Sequence, residues 1–112
     1  MRPESRRLLS DMPTAGSAVE RFTHGKTLDD LRGDDVLRSA IYFKFAVIGK
    51  ALAQLSRDDE QTAKRISESA RIIGFRNQII HGYARIDDEI TWRIIEQKLP
   101  ILLNELRALL AE

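Results

Sequence analysis

Apolar residues recur along this chain at three- and four-residue steps, and no segment alternates as a half-buried strand would. Leu8, Leu9, Met12, Ala15, Val19 and Phe22 make a first helical stripe. Pro13 interrupts it. Proline lacks an N–H and fits without cost only in a first turn, so this helix is expected to kink there or to begin near Ser10 or Asp11. Thr23 to Lys26 reads as a turn, and Thr27-Leu28-Asp29-Asp30 as a capped single helical turn. Gly33-Asp34-Asp35 then supplies a stop followed by an N-cap. The next helix is the best defined, because Ile41, Phe45, Ile48, Leu52 and Leu55 alternate in steps of four and three, the spacing of a bundle seam. Gly49 lies beside that seam, either as a tolerated glycine or as one that permits close helix approach.

Ser56 to Glu60 is a polar break in which Ser56, Asp58 or Asp59 can cap a third helix, whose apolar face is Ala63, Ile66, Ala70 and Ile73. Gly74 marks a bend or junction before Phe75, Ile79 and Ile80, unless the helix runs on through it. Gly82 sits where a helix would end, since glycine takes the left-handed conformation that closes a last turn. Asp87, Asp88 and Glu89 open the final helix, where acids complement the macrodipole. Its stripe is Ile90, Ile94, Leu102, Leu106 and Leu109, and Pro100 predicts a kink. The pattern as a whole predicts an all-α fold, an antiparallel up-and-down bundle of four to five helices in one domain spanning residues 1–112.

Composition narrows the chemistry. Apolar residues are 43% and charged residues 31% of the 112, the balance of a globular chain rather than a disordered one. There is no cysteine, which excludes disulfides, thiolate metal sites and cysteine nucleophiles. Two histidines, His24 and His81, cannot alone build a zinc site of the usual kind, so neither a metal nor a cofactor is expected. No apolar run approaches ~18 residues, so no membrane span is expected. Met1 to Ser10 is polar and basic without an apolar core, unlike a secretion signal, and a cytoplasmic location is the expectation.

Net charge is only +1, yet it is unevenly distributed. Between Asp35 and Asp58 there is no acidic residue, while Arg38, Lys44, Lys50 and Arg57 all fall there. A basic middle attracts an anionic partner such as RNA; it equally describes a solvated helix surface. Arg38 shares the stripe of Phe45 and can either bind phosphate or pair with an acid such as Glu68. Lys64, Arg65 and Arg71 read as a solvated face rather than an RNA groove, and His24 as an exposed turn residue. Trp92 packs at the bundle or dimer surface, or stacks on a base.

One segment concentrates polar chemistry among core-like neighbours: Arg76-Asn77-Gln78-Ile79-Ile80-His81-Gly82-Tyr83. On a helix, Asn77 and His81 are four apart and share a face, with Arg76, Ile80 and Tyr83 along a neighbouring one. These residue types suit RNA cleavage. Attack by a ribose 2′-hydroxyl on the adjacent phosphate needs a proton acceptor, then a proton donor for the leaving oxygen, and histidine can serve either step. Negative charge gathers on the phosphate oxygens in the transition state, and an arginine fork answers it. Asn77 can orient either group. Structural roles compete with each of these: a histidine near a helix end often serves a cap or ion pair, and Tyr83 can simply close the helix end.

The pattern Arg-Asn-x-x-x-His-x-Tyr, late in a helical domain of this size, closely resembles the HepT-like branch of the HEPN superfamily. Val47-Ile48-Gly49-Lys50-Ala51 is similar to that family's Ile-Gly-Glu-Ala stretch, and Ile86 to Trp92 with Leu99-Pro100 is similar to its C-terminal helix. The resemblance covers roughly residues 6 to 110. It implies a bundle that forms a homodimer with two Arg-x4-His motifs near the dimer cleft. It also implies a metal-independent endoribonuclease acting on RNA as the toxin of a toxin–antitoxin pair. By matching positions, Arg76 and His81 would be catalytic, Asn77 supportive, and Tyr83 the acceptor of AMP from a partner minimal nucleotidyltransferase antitoxin. An added AMP would place a bulky anion beside the site and hinder RNA. The chain departs from the pattern at Lys50, where the family carries glutamate, in lacking a Pro-Trp opening before Arg76, and at Pro13. With Lys50 and Arg38 as further RNA contacts the nuclease reading stands. The charge reversal at Lys50 instead favours an alternative, a non-catalytic HEPN dimer that serves as the binding subunit of a nucleotidyltransferase. A purely structural helical dimer is the third possibility.

Overall fold

A computed structural model of the chain describes residues 1–82 and 86–112. The described residues form helices α1 (Pro3–Thr23), α2 (Leu28–Arg32), α3 (Asp35–Asp58), α4 (Glu60–Ala63), α5 (Ser69–His81), α6 (Asp88–Arg93) and α7 (Leu99–Leu110), with a π-helical turn, Ile94–Lys98, joining the last two. Four rods carry the architecture: α1, α3, α5 and the continuous α6–α7 segment. Neighbouring rods run antiparallel. Ser5 at the start of α1 meets Asp59 at the end of α3, Arg6 donates to the Leu110 carbonyl at the end of α7 (2.8 Å), and Ser67, just before α5, donates to Glu105 late in α7 (3.1 Å). The all-α bundle expected from periodicity is therefore present.

Most boundaries follow from local chemistry. Thr27 and Asp30 form a reciprocal capping box on α2, with Asp30 accepting from the Thr27 N–H (2.8 Å) and Thr27 Oγ1 accepting from the Asp30 N–H (3.2 Å). Asp34 caps α3 by accepting from the Leu37 N–H at 3.0 Å. Gly82 closes α5 in the left-handed conformation (φ 57°, ψ 32°), its N–H bonded to the Gln78 carbonyl. A side chain at that φ would be strained, so glycine fits there.

Three expectations are corrected. The first helix begins at Pro3 and runs unbroken through Pro13, so the later start near Ser10 does not occur. Pro3 occupies the first turn, where its missing N–H costs nothing. Leu8, Leu9 and Met12 before Pro13, and Ala15 and Val19 after it, are all buried, and burial on both sides holds the segment as one helix. Gly74 is no junction: α5 passes straight through it. The break falls instead at Lys64–Glu68, and it shifts the inward register from Ala70 and Ile73 to Ile72 and Phe75. Pro100 produces no simple kink. The helix widens to a π turn over Ile94–Lys98 so that Pro100 enters in the first turn of α7, where no N–H is needed.

The core lies between α3 and the other rods. Ile41, Phe45, Ile48, Leu52 and Leu55 of α3 pack with Leu9, Met12 and Val19 of α1, Ile72 and Phe75 of α5, and Leu99, Leu102, Leu103 and Leu106 of α7. Phe75 meets Phe45 edge-on (centroids 5.2 Å, 89°) and Tyr42 at 6.3 Å, pairings worth about 0.5–1.5 kcal/mol each beyond the area they bury. This aromatic cluster fixes α5 against α3. No helix among the described residues is long and apolar enough to cross a membrane.

At the opposite end of the bundle, the junction of α1, α3 and α4 closes on one carboxylate. Asp59 accepts from the buried Ser5 hydroxyl (2.7 Å), from Thr62 Oγ1 (2.7 Å) and from the Thr62 N–H (3.3 Å). The Ser5 hydroxyl foremost, then Thr62, hold its carboxyl at about 2, below its ordinary 3.8. A depressed folded-state value stabilises the protein fully above the unfolded value, and that contribution is lost as pH falls through the folded one. The difference in Tm between the wild type and Asp59→Asn is therefore expected to be constant near neutrality and to close between about pH 4 and pH 2. A gap that stays constant into that range would mean the charge of Asp59 contributes nothing.

Candidate active site

The position of Arg76 is fixed by neighbours on two helices. Phe75 points into the core, so the next residue, about 100° further round α5, is turned toward α3. There it meets Gly49. A Cβ built on Gly49 would lie 2.3 Å from Arg76 Cβ, 2.4 Å from Cγ and 3.2 Å from Cδ, so the arginine stem occupies the space that any other residue at 49 would fill. Glycine inside a helix costs about 1 kcal/mol relative to alanine, and here close helix approach accounts for it. Of the two readings of Gly49, the close-approach one holds.

The stem leaves Arg76 half-buried, with Nε shielded and, among the described residues, without a hydrogen-bond partner. Nη1 donates to Asn77 Oδ1 at 3.2 Å. Among the described residues Arg76 has no ion pair, in contrast to Arg38. The guanidinium is thus held at its base and steadied from one side, and no carboxylate among those residues neutralises it.

His81 is exposed and is the last residue of α5, directly before the glycine that closes the helix. It lies five positions after Arg76, about 7.5 Å along the axis and about 140° around it. Asn77, half-buried, lies on the His81 side, so it sits between the faces of Arg76 and His81 while its amide oxygen contacts the guanidinium. Tyr83 lies outside the described residues. Beside the end of α5 a cavity of about 380 Å³ is lined by Asp35, Arg38, Tyr42, Gln78, Ile79 and Gly82, with Ile86 beyond. Tyr42 is a lining residue that sequence reasoning misses. Its one signal is its place one turn after Arg38 on the same stripe.

The other candidates have clear surroundings. Arg38 does form an ion pair, but with Asp88 rather than Glu68: Nε and Nη2 reach the Asp88 carboxylate at 3.0 and 3.2 Å, and Nη1 donates to Asp35. Nη2 also donates to the carbonyls of Leu31 and Arg32, both at 3.0 Å. Asp88 foremost raises the pKa of Arg38 above its ordinary value. This fork ties the end of α2 and the start of α3 to the start of α6, and phosphate would have to compete with two carboxylates for it. Lys50 is exposed and lines a groove between α1 and α3 with Arg7, Leu8, Asp11, Val47 and Gln54, so its side chain lies away from the α5 face that carries Arg76. Glu68 pairs with Arg71 (3.4 Å) and Lys98 (3.6 Å), Lys64 with Glu60, and Arg65 with Glu112, as a solvated charged face would. His24 is exposed, and Trp92 is half-buried. No group of three or more His, Cys, Asp or Glu able to hold a metal ion occurs among the described residues.

Fold and site together define a small all-α domain that presents an arginine–asparagine pair and a histidine on one helix. The chain belongs to the HepT-like family, whose model, described as Ribonuclease HepT-like, matches residues 12–109. It is 26% identical over 96 residues to a protein named Probable ribonuclease HepT from Thermococcus cleftensis, covering 84% of each. It is 25% identical over 114 residues to a protein named Gamma-glutamylcyclotransferase and putative RNase from Methanocaldococcus jannaschii; all of this chain aligns, but it spans only 50% of that relative. No solved structure matches the chain.

Proposed function

We propose that the protein is a HEPN-type endoribonuclease that cleaves RNA without a metal, through Arg76 and His81. The observation that carries this reading is the state of Arg76, whose guanidinium is fixed at its stem and, among the described residues, without a carboxylate partner, one helical turn and a half from an exposed imidazole. In the reaction, His81 takes the proton of a ribose 2′-hydroxyl as that oxygen attacks the adjacent phosphorus. The bond to the 5′-oxygen breaks, the leaving oxygen receives a proton, and a cyclic phosphate and a free 5′-hydroxyl result. Arg76 faces the non-bridging oxygens through Nη1 and Nη2, since Nε is shielded, and stabilises the charge that grows there.

A homodimer fits this chemistry. The outer side of α3 exposes Val36 (81%) and Phe43 (65%), seven residues apart on one stripe, and α5 exposes Ile80 (50%) beside the site. Apolar side chains of that size are stabilised by burial, and a second copy of the same surface would supply it. Two Arg76–His81 motifs would then face a shared cleft. The family resemblance further supports a toxin role, with a minimal nucleotidyltransferase as antitoxin. That partner would transfer AMP from a nucleoside triphosphate to the Tyr83 hydroxyl with release of pyrophosphate. Tyr83 is two residues from His81, so the added phosphate would repel an incoming RNA backbone.

Purified protein is expected to degrade RNA in the presence of a chelator, and Arg76→Ala or His81→Ala to lower the rate by about 10²-fold or more. Variants as active as the wild type would reject the assignment, and an inactive wild type would favour the non-catalytic binding subunit. Phe43→Glu should convert a dimer to a monomer in sedimentation and reduce cleavage; a wild type that sediments as a monomer removes the shared cleft. Intact mass after co-expression with the nucleotidyltransferase should rise by one AMP, located on Tyr83 by fragmentation. An unmodified tyrosine there would end the switch proposal.

A further inference from the structure

We propose that Gly49, on a different helix from the reacting groups, is a positioning residue that holds Arg76 in its working geometry. The inference rests on the nuclease reading above and extends it to a second element of the fold.

The distances separate this from ordinary tight packing. A new Cβ at position 49 would meet Arg76 Cβ at 2.3 Å and Cγ at 2.4 Å. Cβ is fixed by the α5 backbone, so the conflict cannot be relieved by swinging a flexible side-chain end. It can be relieved only by moving α5 away from α3 or by turning it. Either motion lifts the arginine stem from its bed and exposes Nε, which is now shielded and, among the described residues, unpartnered. The Phe45–Phe75 contact lies one residue before Arg76 and four before Gly49, so it acts as the fulcrum for such a motion. Gly49 therefore sets where the guanidinium ends without touching the RNA itself. Misplacement of a positioned group by about 1 Å can cost about 10²-fold in rate.

The test is a double-variant cycle in the full-length protein: wild type, Gly49→Ala, Arg76→Gly, and both together. Rates of RNA cleavage and melting temperatures are measured for each, with the Arg76 Nε–H resonance followed by NMR where Arg76 is present. Gly49→Ala is expected to keep helical circular dichroism, lose about 10²-fold in rate, and bring the Nε–H into fast exchange with solvent. Arg76→Gly removes the Cβ and Cγ that the methyl group introduced by Gly49→Ala would strike. In that background the Gly49→Ala change should leave the residual rate unaltered and should not lower the melting temperature, since alanine is favoured over glycine inside a helix once the clash is gone. A merely structural glycine would lower the melting temperature of Gly49→Ala while leaving the rate of the folded protein and the Nε–H exchange as in the wild type, and that result overturns the inference. Wild-type cleavage by Gly49→Ala, with Arg76→Gly inactive, overturns it while sparing the nuclease reading. Arg76→Gly as active as the wild type removes the nuclease reading, and this inference falls with it. Should Gly49→Ala fail to fold, restored folding in the double variant supports the contact, and continued unfolding of the double variant rejects it.

Discussion

The contact on which this molecule turns is the one between a missing side chain and a long one. Helix α3 is the central rod of the bundle, and α5 can lie against it only because residue 49 has no Cβ where the Arg76 stem crosses. The edge-on packing of Phe75 against Phe45 and Tyr42 draws the helices together, while Gly49 allows the approach to be completed one residue later. Without the aromatic cluster the glycine would leave a gap. Without the glycine the aromatic cluster would be levered apart.

Two arginines show what that arrangement achieves. Arg38 and Arg76 are both partly buried, yet their charges are treated in opposite ways. Arg38 has its donors engaged by Asp88, Asp35 and two carbonyls, and it acts as a clamp joining three helices. Arg76 rests on carbon, and its one hydrogen-bond partner among the described residues is a neutral amide. A partly buried charge is normally compensated, so an arginine with no acidic partner among the described residues suits the role proposed for it, that of meeting an anion. His81, exposed at the closing turn of the same helix, is the second group of the proposed site.

Much of the scaffold is legible residue by residue. The α3 stripe from Ile41 to Leu55 is buried throughout, the capping roles of Thr27, Asp34 and Asp59 are local hydrogen bonds, and Gly82 adopts the left-handed turn its position suggests. The departures from expectation have a common origin. Pro13, Gly74 and Pro100 are local breakers by type, and each is overridden by the packing of the helix around it or absorbed by a widened turn. The true break at Lys64–Glu68 carries neither glycine nor proline. Its sign lies on distant residues, in Glu105 accepting from Ser67 and Lys98 pairing with Glu68.

By itself the amino-acid sequence determined the helical class, most helix ends, the family and the choice of Arg76, Asn77 and His81 as candidates, because periodicity, capping and motif spacing act over a few residues. Which acid holds Arg38, which side Lys50 faces and why residue 49 is a glycine were decided only by the tertiary structure. Those depend on how two helices approach and rotate about one another. That rotation is set by side-chain volume summed over the whole interface, a quantity that no single stretch of chain contains.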